Sequence, residues 1–334
     1  MAKRWRASAW SRSVERSLAA ITRQAIKSGA RRIVKAMKPA RAPRGAGAWL
    51  PGVAIGLSGA RRFRLYRPPG IAMDERLPLV VMLHGCGQDA ASFAASTRMN
   101  RIAQRERFLV LYPEQERLAN PQGCWNWYDT DSGRAQGEAA LIVKAIDQVC
   151  LLHPVDRARI AIAGLSAGAS MAALVVTRHP ERFKALVMHS GIPPGTARSG
   201  LTALGAMRGR RTTRKLPATP GVKAAMDLKL PPLLVIHGDC DDLVSLHNAR
   251  AAVQVWADAA GAHAGPPRHV QRGQRYPSTV TDFKYRGVTA ATLVEVEGLA
   301  HAWSGGAAKQ AFSDAQGPDA SRMIWAFAAR QFGA

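Results

Sequence analysis

Acidic residues are scarce in this chain: 23 Asp and Glu face 47 Lys and Arg over 334 residues, a net charge of +24. Cysteine is scarce too, and four in this length do not make a disulfide-built scaffold. No apolar run approaches the roughly 18 residues that a membrane span requires. The N-terminus is basic but lacks the apolar stretch of about 7–15 residues that marks a secretory signal. Arg31-Arg32 is followed by Ile33-Val34-Lys35, which breaks a twin-arginine pattern. A cytoplasmic location is the resulting expectation. Despite the charge, no zinc-finger, helix-turn-helix or RNA-binding signature is present, so nucleic acid is an unlikely partner. The cluster His237, Asp239, Cys240, Asp241, Asp242 and His247 matches no standard zinc spacing, so the expectation is no metal and no other cofactor.

Apolar residues supply 47% of the chain, enough for one large domain with a sizeable core. The charge is unevenly placed. Residues 1–50 carry a net +12 and residues 198–229 a net +7, leaving the remainder close to balance. Within the first segment, Val14, Leu18, Ile21 and Ala25 follow helical spacing, and Ile26, Ala30, Ile33 and Met37 form a second row. Residues 39–52 are rich in Pro, Gly, Ala and Arg and read as a linker. The division expected is a basic amphipathic leader and linker over 1–52 and a catalytic domain over 53–334. Such a leader is either a solvated tail or an anchor on an anionic surface, a polymer granule or membrane, through residues 1–50.

From about residue 53, short β-branched runs alternate with longer helical stretches. Strands are predicted at Phe63–Arg67, Pro78–Leu83, Phe108–Tyr112, Arg159–Ala163, Ala185–His189, Leu233–His237 and Thr292–Val296. Helices are predicted at about 91–106, 135–152, 167–179, 246–260 and 319–331. Near-continuous apolar runs such as "PLVVML" suit strands buried on both faces. The alternation predicts an α/β fold: a doubly wound, mostly parallel sheet with helices on both faces. Residues 193–229 and 264–290 break the pattern and read as surface excursions.

The sharpest motif is Gly164-Leu165-Ser166-Ala167-Gly168, lying between the strand "RIAIAG" and the helix "SAGASMAALVVTRH". A nucleophilic serine must protrude from a sharp strand-to-helix turn, and small residues on either side relieve the crowding there. Ser166 needs a base and an acid to orient that base, and in this arrangement both come from later strand ends. "LLVIHGDCDDLV" offers Asp239, Asp241 and Asp242, and "EGLAHAWSGG" offers His301, the last histidine. An oxyanion hole requires two backbone N–H groups. Ala167 supplies one, and the loop His84-Gly85-Cys86-Gly87 supplies the other. His84, just before that loop, reads as a structural hydrogen-bonding residue.

These places resemble the α/β-hydrolase superfamily. The strings "LHGCGQDAASFAASTRMNRIAQRERFLVLYPEQ", "GCWNWYD", "GLSAGASMAALVVTRHPERFKALVMHSG", "HGDCDDLV" and "EGLAHAWSGG" resemble the polyhydroxybutyrate depolymerase family of esterases, which includes feruloyl and acetylxylan esterases. The resemblance spans about residues 55–330. It implies Ser166 as nucleophile, His301 as base and Asp241, out of the three acids, as orienting group. It also implies the Cys86 N–H as upstream oxyanion donor, and it favours Trp125 beside the site. Trp303, two residues from His301, is expected in the same cleft; for Trp125 and Trp127, ordinary core packing is the competing reading. The implied substrate is a small ester or polyester. Only 33 residues follow His301, the length of a final helix, so a small-ester or intracellular-polymer activity is expected rather than attack on external crystalline polymer. Cys86 and Cys124 both fall in loops at the active-site end. A bond between them would stiffen the oxyanion loop, whereas a cytoplasmic location argues for free thiols.

Overall fold

The structure, a computed structural model, describes residues 46–72, 74–211, 213 and 230–333. The leader up to residue 45 and the basic stretch 214–229 lie outside the described residues.

The strands, in chain order, are β1 (Ala48–Gly56), β2 (Gly59–Arg67), β3 (Leu77–Leu83), β4 (Leu109–Pro113), β5 (Val155–Leu165), β6 (Ala185–His189) and β7 (Leu233–Gly238). There follow β8 (His263–Ala264), β9 (Arg268–Val270), β10 (Ser278–Tyr285), β11 (Val288–Val296) and the short pair β12 (Trp303–Ser304) and β13 (Ser313–Asp314). The helices are α1 (Ala90–Thr97), α2 (Met99–Glu106), α3 (Arg134–Leu152), α4 (Ala167–Arg178), α5 (Gly200–Met207), α6 (His247–Ala260) and α7 (Ala320–Phe332). The main sheet runs β1-β2-β4-β3-β5-β6-β7-β11-β10-β8, with β9 paired to β10. Strands β4, β3, β5, β6, β7 and β11 are mutually parallel.

The two-residue period of a strand sorts the core into two layers. Leu79, Val81, Ile160, Ile162, Leu233 and Val235 face α3, α4 and α6. Val80, Met82, Ala161, Ala163, Leu234 and Ile236 face α1, α2 and α7. The central strands β3, β4, β6 and β7 are thereby buried along their whole length and mostly apolar, as a sheet covered on both faces demands. This is an α/β-hydrolase fold.

Three readings of the sequence are corrected here. Residues 48–52, assigned to the linker, are the first half of β1 and pair in register with β2, Ala48 opposite Arg67. Pro51 disguised this strand, but β1 lies at the sheet edge, where a missing N–H costs little. The helix expected over 91–106 is broken at Arg98, whose φ of 56° is left-handed. The stretch 264–290 is not a plain loop: it forms β8, β9, β10 and the start of β11.

Candidate active site

The parallel strands β3, β5, β6, β7 and β11 all end at the same edge of the sheet. The loops that leave this edge carry His84–Gly87, Ser166, Ser190, Asp241 and His301.

Ser166 sits at φ 55° and ψ −121°, between β5 and α4. A non-glycine residue there stores about 1–3 kcal/mol of strain, which the surrounding packing must hold. The two flanking glycines show how. A Cβ on Gly164 would collide with the Gly168 backbone, and one on Gly168 would collide with the carbonyls of Leu83 and His84. The turn is therefore closed on itself and pressed against the end of β3. The Ser166 N–H donates to the His189 carbonyl at 2.8 Å, tying the turn to the end of β6.

Asp241 and His301 are brought together. The His301 Nδ1–H donates to Asp241 Oδ2 at 2.7 Å. The other carboxylate oxygen, Oδ1, accepts from the N–H groups of Leu243 (3.1 Å) and Val244 (2.8 Å). The His237 Nε2–H is shared between the Val244 carbonyl at 2.8 Å and Asp241 Oδ2 at 3.3 Å. Burial alone would raise the Asp241 pKa, but the His301 charge and the hydrogen bonds from His237 and His301 outweigh it and hold the carboxyl well below the usual range. Asp239 and Asp242 are exposed. Asp239 Oδ1 instead accepts from Gly298 N–H at 2.7 Å, latching the loop that leads to His301. Ser166 Oγ is not hydrogen-bonded to His301 among the described residues, whose Nδ1 is engaged by Asp241. Such contacts commonly tighten only around substrate.

The Cys86 and Ala167 N–H groups have no hydrogen-bond partner among the described residues. Their neighbours do: Gly85 N–H donates to Gln88 Oε1 at 3.0 Å and Gly87 N–H to the Gln122 carbonyl at 2.9 Å. The oxyanion loop is thus pinned on either side of a free donor. The second pin also brings Cys86 to Cys124. Their Cα atoms stand 4.3 Å apart and their sulfurs are bonded, so of the two readings left open by the sequence the disulfide is the one the structure has. Cys150 and Cys240 remain free, the second of them exposed.

Trp125 and Trp303 do not line a cleft, because neither exposes any side-chain surface. Trp125 Nε1–H donates to the His84 carbonyl at 3.0 Å, and the Arg61 guanidinium lies 5.2 Å from the ring centroid. Beneath it, buried Glu138 accepts from Gln115 Nε2 (2.6 Å), Asn126 N–H (2.9 Å) and Asn126 Nδ2 (2.6 Å). His84 completes the support: its Nδ1–H donates to the Gly85 carbonyl at 2.8 Å and its Nε2 accepts from Gln115 N–H at 3.0 Å. Trp303 packs edge-on to Phe93 and donates from Nε1 to Ser321 Oγ at 3.2 Å. Both tryptophans hold loops in place. Sequence reading missed Glu138, Gln115 and His189 as parts of this support. A histidine closing an apolar strand, as in "ALVMH", was the one available signal.

Burial lowers His84 to about 4 and His189 to about 3, from an ordinary 6.5. Between pH 6.5 and those values the unfolded chain binds protons that the folded chain refuses. Stability is therefore complete above 6.5 and falls on acidification, by about 1.4 kcal/mol per pH unit for each histidine. The thermal midpoint should drop steadily from pH 6.5 to pH 4. A constant midpoint over that range would contradict the neutral, buried state of both rings.

The chain is similar to known proteins in sequence and in fold. The profile of the family described as Esterase PHB depolymerase matches residues 61–265. Poly(3-hydroxyalkanoate) depolymerase C of Paucimonas lemoignei is 30% identical over 238 residues, 69% of this chain and 56% of its own length. Feruloyl esterase B of Neurospora crassa is 25% identical over 214 residues, covering 61% of this chain and 72% of its own. Among solved structures, the acetyl xylan esterase from Aspergillus awamori superposes with a TM-score of 0.59 at 17% identity, over 76% of this chain and 94% of that one. That last likeness is one of fold.

Proposed function

Since the chain belongs to the PHB depolymerase family of esterases, we propose that it hydrolyses carboxylic esters through an acyl-enzyme on Ser166. The observation that carries this is the strained serine turn sharing a sheet edge with the bonded Asp241–His301 pair. Ser166 Oγ attacks the ester carbonyl while His301 Nε2 takes its proton. Asp241 keeps His301 in the tautomer with Nε2 free and supports the cation that forms. The tetrahedral oxyanion accepts hydrogen bonds from Cys86 and Ala167 N–H. Collapse expels the alcohol, which leaves with the proton from His301. Water then repeats the sequence on the acyl-enzyme, releasing the acid and restoring Ser166.

The substrates we propose are short-chain hydroxyalkanoate esters or their polymer, following the depolymerase relative. The second reading is a feruloyl- or acetylxylan-type esterase, following the other named relatives. Rates on p-nitrophenyl butyrate, a hydroxybutyrate oligomer, methyl ferulate and acetylated xylan separate the two. Turnover of the butyrate ester that stops on treatment with a serine-directed phosphonate is expected. An inert protein would point to a binding role on a hydrolase scaffold. For location, the Cys86–Cys124 bond favours an oxidising compartment over the cytoplasm. Alkylation of unreduced protein is then expected to modify no more than two of the four cysteines.

A further inference from the structure

His189, the last residue of β6, occupies the one strand end between the nucleophile on β5 and the acid on β7. It is wholly buried, takes no part in the reaction outlined above, and makes polar contacts in two directions. We infer that His189 is a positioning residue that sets the separation of nucleophile and base by gripping both loops at once. Its carbonyl accepts from Ser166 N–H at 2.8 Å, and its ring Nε2 accepts from Ser304 N–H at 3.1 Å, three residues beyond His301.

The second contact fixes the tautomer. A main-chain N–H can only donate, so Nε2 is bare and the ring proton is on Nδ1. That proton points to Ser190 Oγ, 3.2 Å away. The ring also stacks on Trp303, with centroids 5.1 Å apart and planes 21° from parallel. The base loop is also held by Asp239 at Gly298 and by Ser321 at Trp303, but the His189 imidazole is the contact that ties it to the strand end beside the nucleophile. Protonation would turn Nε2 into a donor facing another donor and break that tie. Burial opposes that most strongly, and the charges of His237 and His301 oppose it further, against a smaller pull from Asp241. His189 therefore stays an acceptor while His301, close by, gains and loses its proton.

A clamp of this kind should act on the rate per working site. Misplacing a base by a fraction of an ångström lowers the chemical step while leaving ground-state binding alone. Three variants separate the clamp from plain packing. His189→Gln keeps an acceptor at the reach of Nε2. His189→Asn is polar but too short to meet Ser304. His189→Phe keeps the stack on Trp303 without an acceptor. All three retain the main-chain carbonyl that holds Ser166. Active sites are titrated with a stoichiometric phosphonate, and kcat and KM for p-nitrophenyl butyrate are expressed per titrated site. The expected result is a loss of about 10- to 100-fold in kcat for His189→Asn and His189→Phe, with KM within about twofold, and recovery to within about threefold in His189→Gln. Equal kcat per site in all three, whatever their melting temperatures, would overturn the clamp. Should His189→Phe not fold, the Asn and Gln variants make the same comparison, and equality between them overturns it as well. The inference rests on the esterase reading, whose own failure is distinct: the wild-type protein would then neither turn over the ester nor titrate.

Discussion

Replacing Ser166 with alanine is expected to lower kcat on p-nitrophenyl butyrate by at least about 10⁴-fold, and by as much as about 10⁶-fold, without unfolding the protein. The size follows from the chemistry. The Ser166 hydroxyl is the only group at the turn able to form the acyl bond. Without it only the oxyanion donors and substrate binding remain, which support about 10³–10⁴ over water. The fold should survive because the side chain carries none of the turn's structural bonds. The Ser166 N–H to His189 and the carbonyl that receives Ser170 N–H are both main chain. The positive φ stays strained in alanine as in serine, so a modest shift in melting temperature is expected. A folded Ser166→Ala protein that kept more than a few per cent of wild-type kcat would mean another nucleophile.

The acid should produce the next largest effect, and only one of three neighbouring aspartates should produce it. Asp241→Asn is expected to lower kcat by roughly 10⁴-fold and to lower stability measurably. The Asp241 carboxylate is buried and every partner around it donates: Leu243 N–H, Val244 N–H, His301 Nδ1–H and the nearby His237 Nε2. An amide has one oxygen, so its NH₂ must face a donor on one side. If it faces His301, the ring turns or shifts its proton to Nε2, and the base is lost. If it faces the main chain, the buried Val244 N–H loses its acceptor at about 1–3 kcal/mol and the half-buried Leu243 N–H loses its own at a smaller cost. Asp239→Asn keeps the Oδ1 that accepts from Gly298 and should cost less than tenfold. Asp242→Asn, on an exposed residue, should change little. Measured side by side, a crippling Asp242→Asn with a tolerated Asp241→Asn would contradict the geometry.

How much of this the sequence revealed depended on how local each feature is. The strands β3, β6, β7 and the second half of β5 are buried on both faces, so their apolar runs are continuous and easy to find. The serine turn is local as well, since a Cβ on Gly164 would collide with the Gly168 backbone four residues on. The edge of the sheet was harder. β10, "STVTDFKY", is mostly half-exposed and carries no run and no clean alternation. β1 contains Pro51 and Gly52, which read as linker until an edge position makes them acceptable. Contacts between distant pieces that no motif marks were not legible. The tie between the two loops bearing Cys86 and Cys124 is a main-chain bond from Gly87 to Gln122. Trp125 is sealed by Arg61, far back in the chain, and so packs where its motif suggested a pocket wall. His189 meets Ser304 across 115 positions, so its place at the end of an apolar strand was the one hint of its role.

The central claim is that one serine becomes covalently acylated, and it is tested most directly by locating the bond. The wild-type protein is reacted with a fluorophosphonate, digested and examined by mass spectrometry. A single phosphonyl group on the peptide containing Ser166, absent from Ser166→Ala, is the result this account predicts. An adduct on any other residue, or full esterase turnover in protein that takes up none, would contradict it.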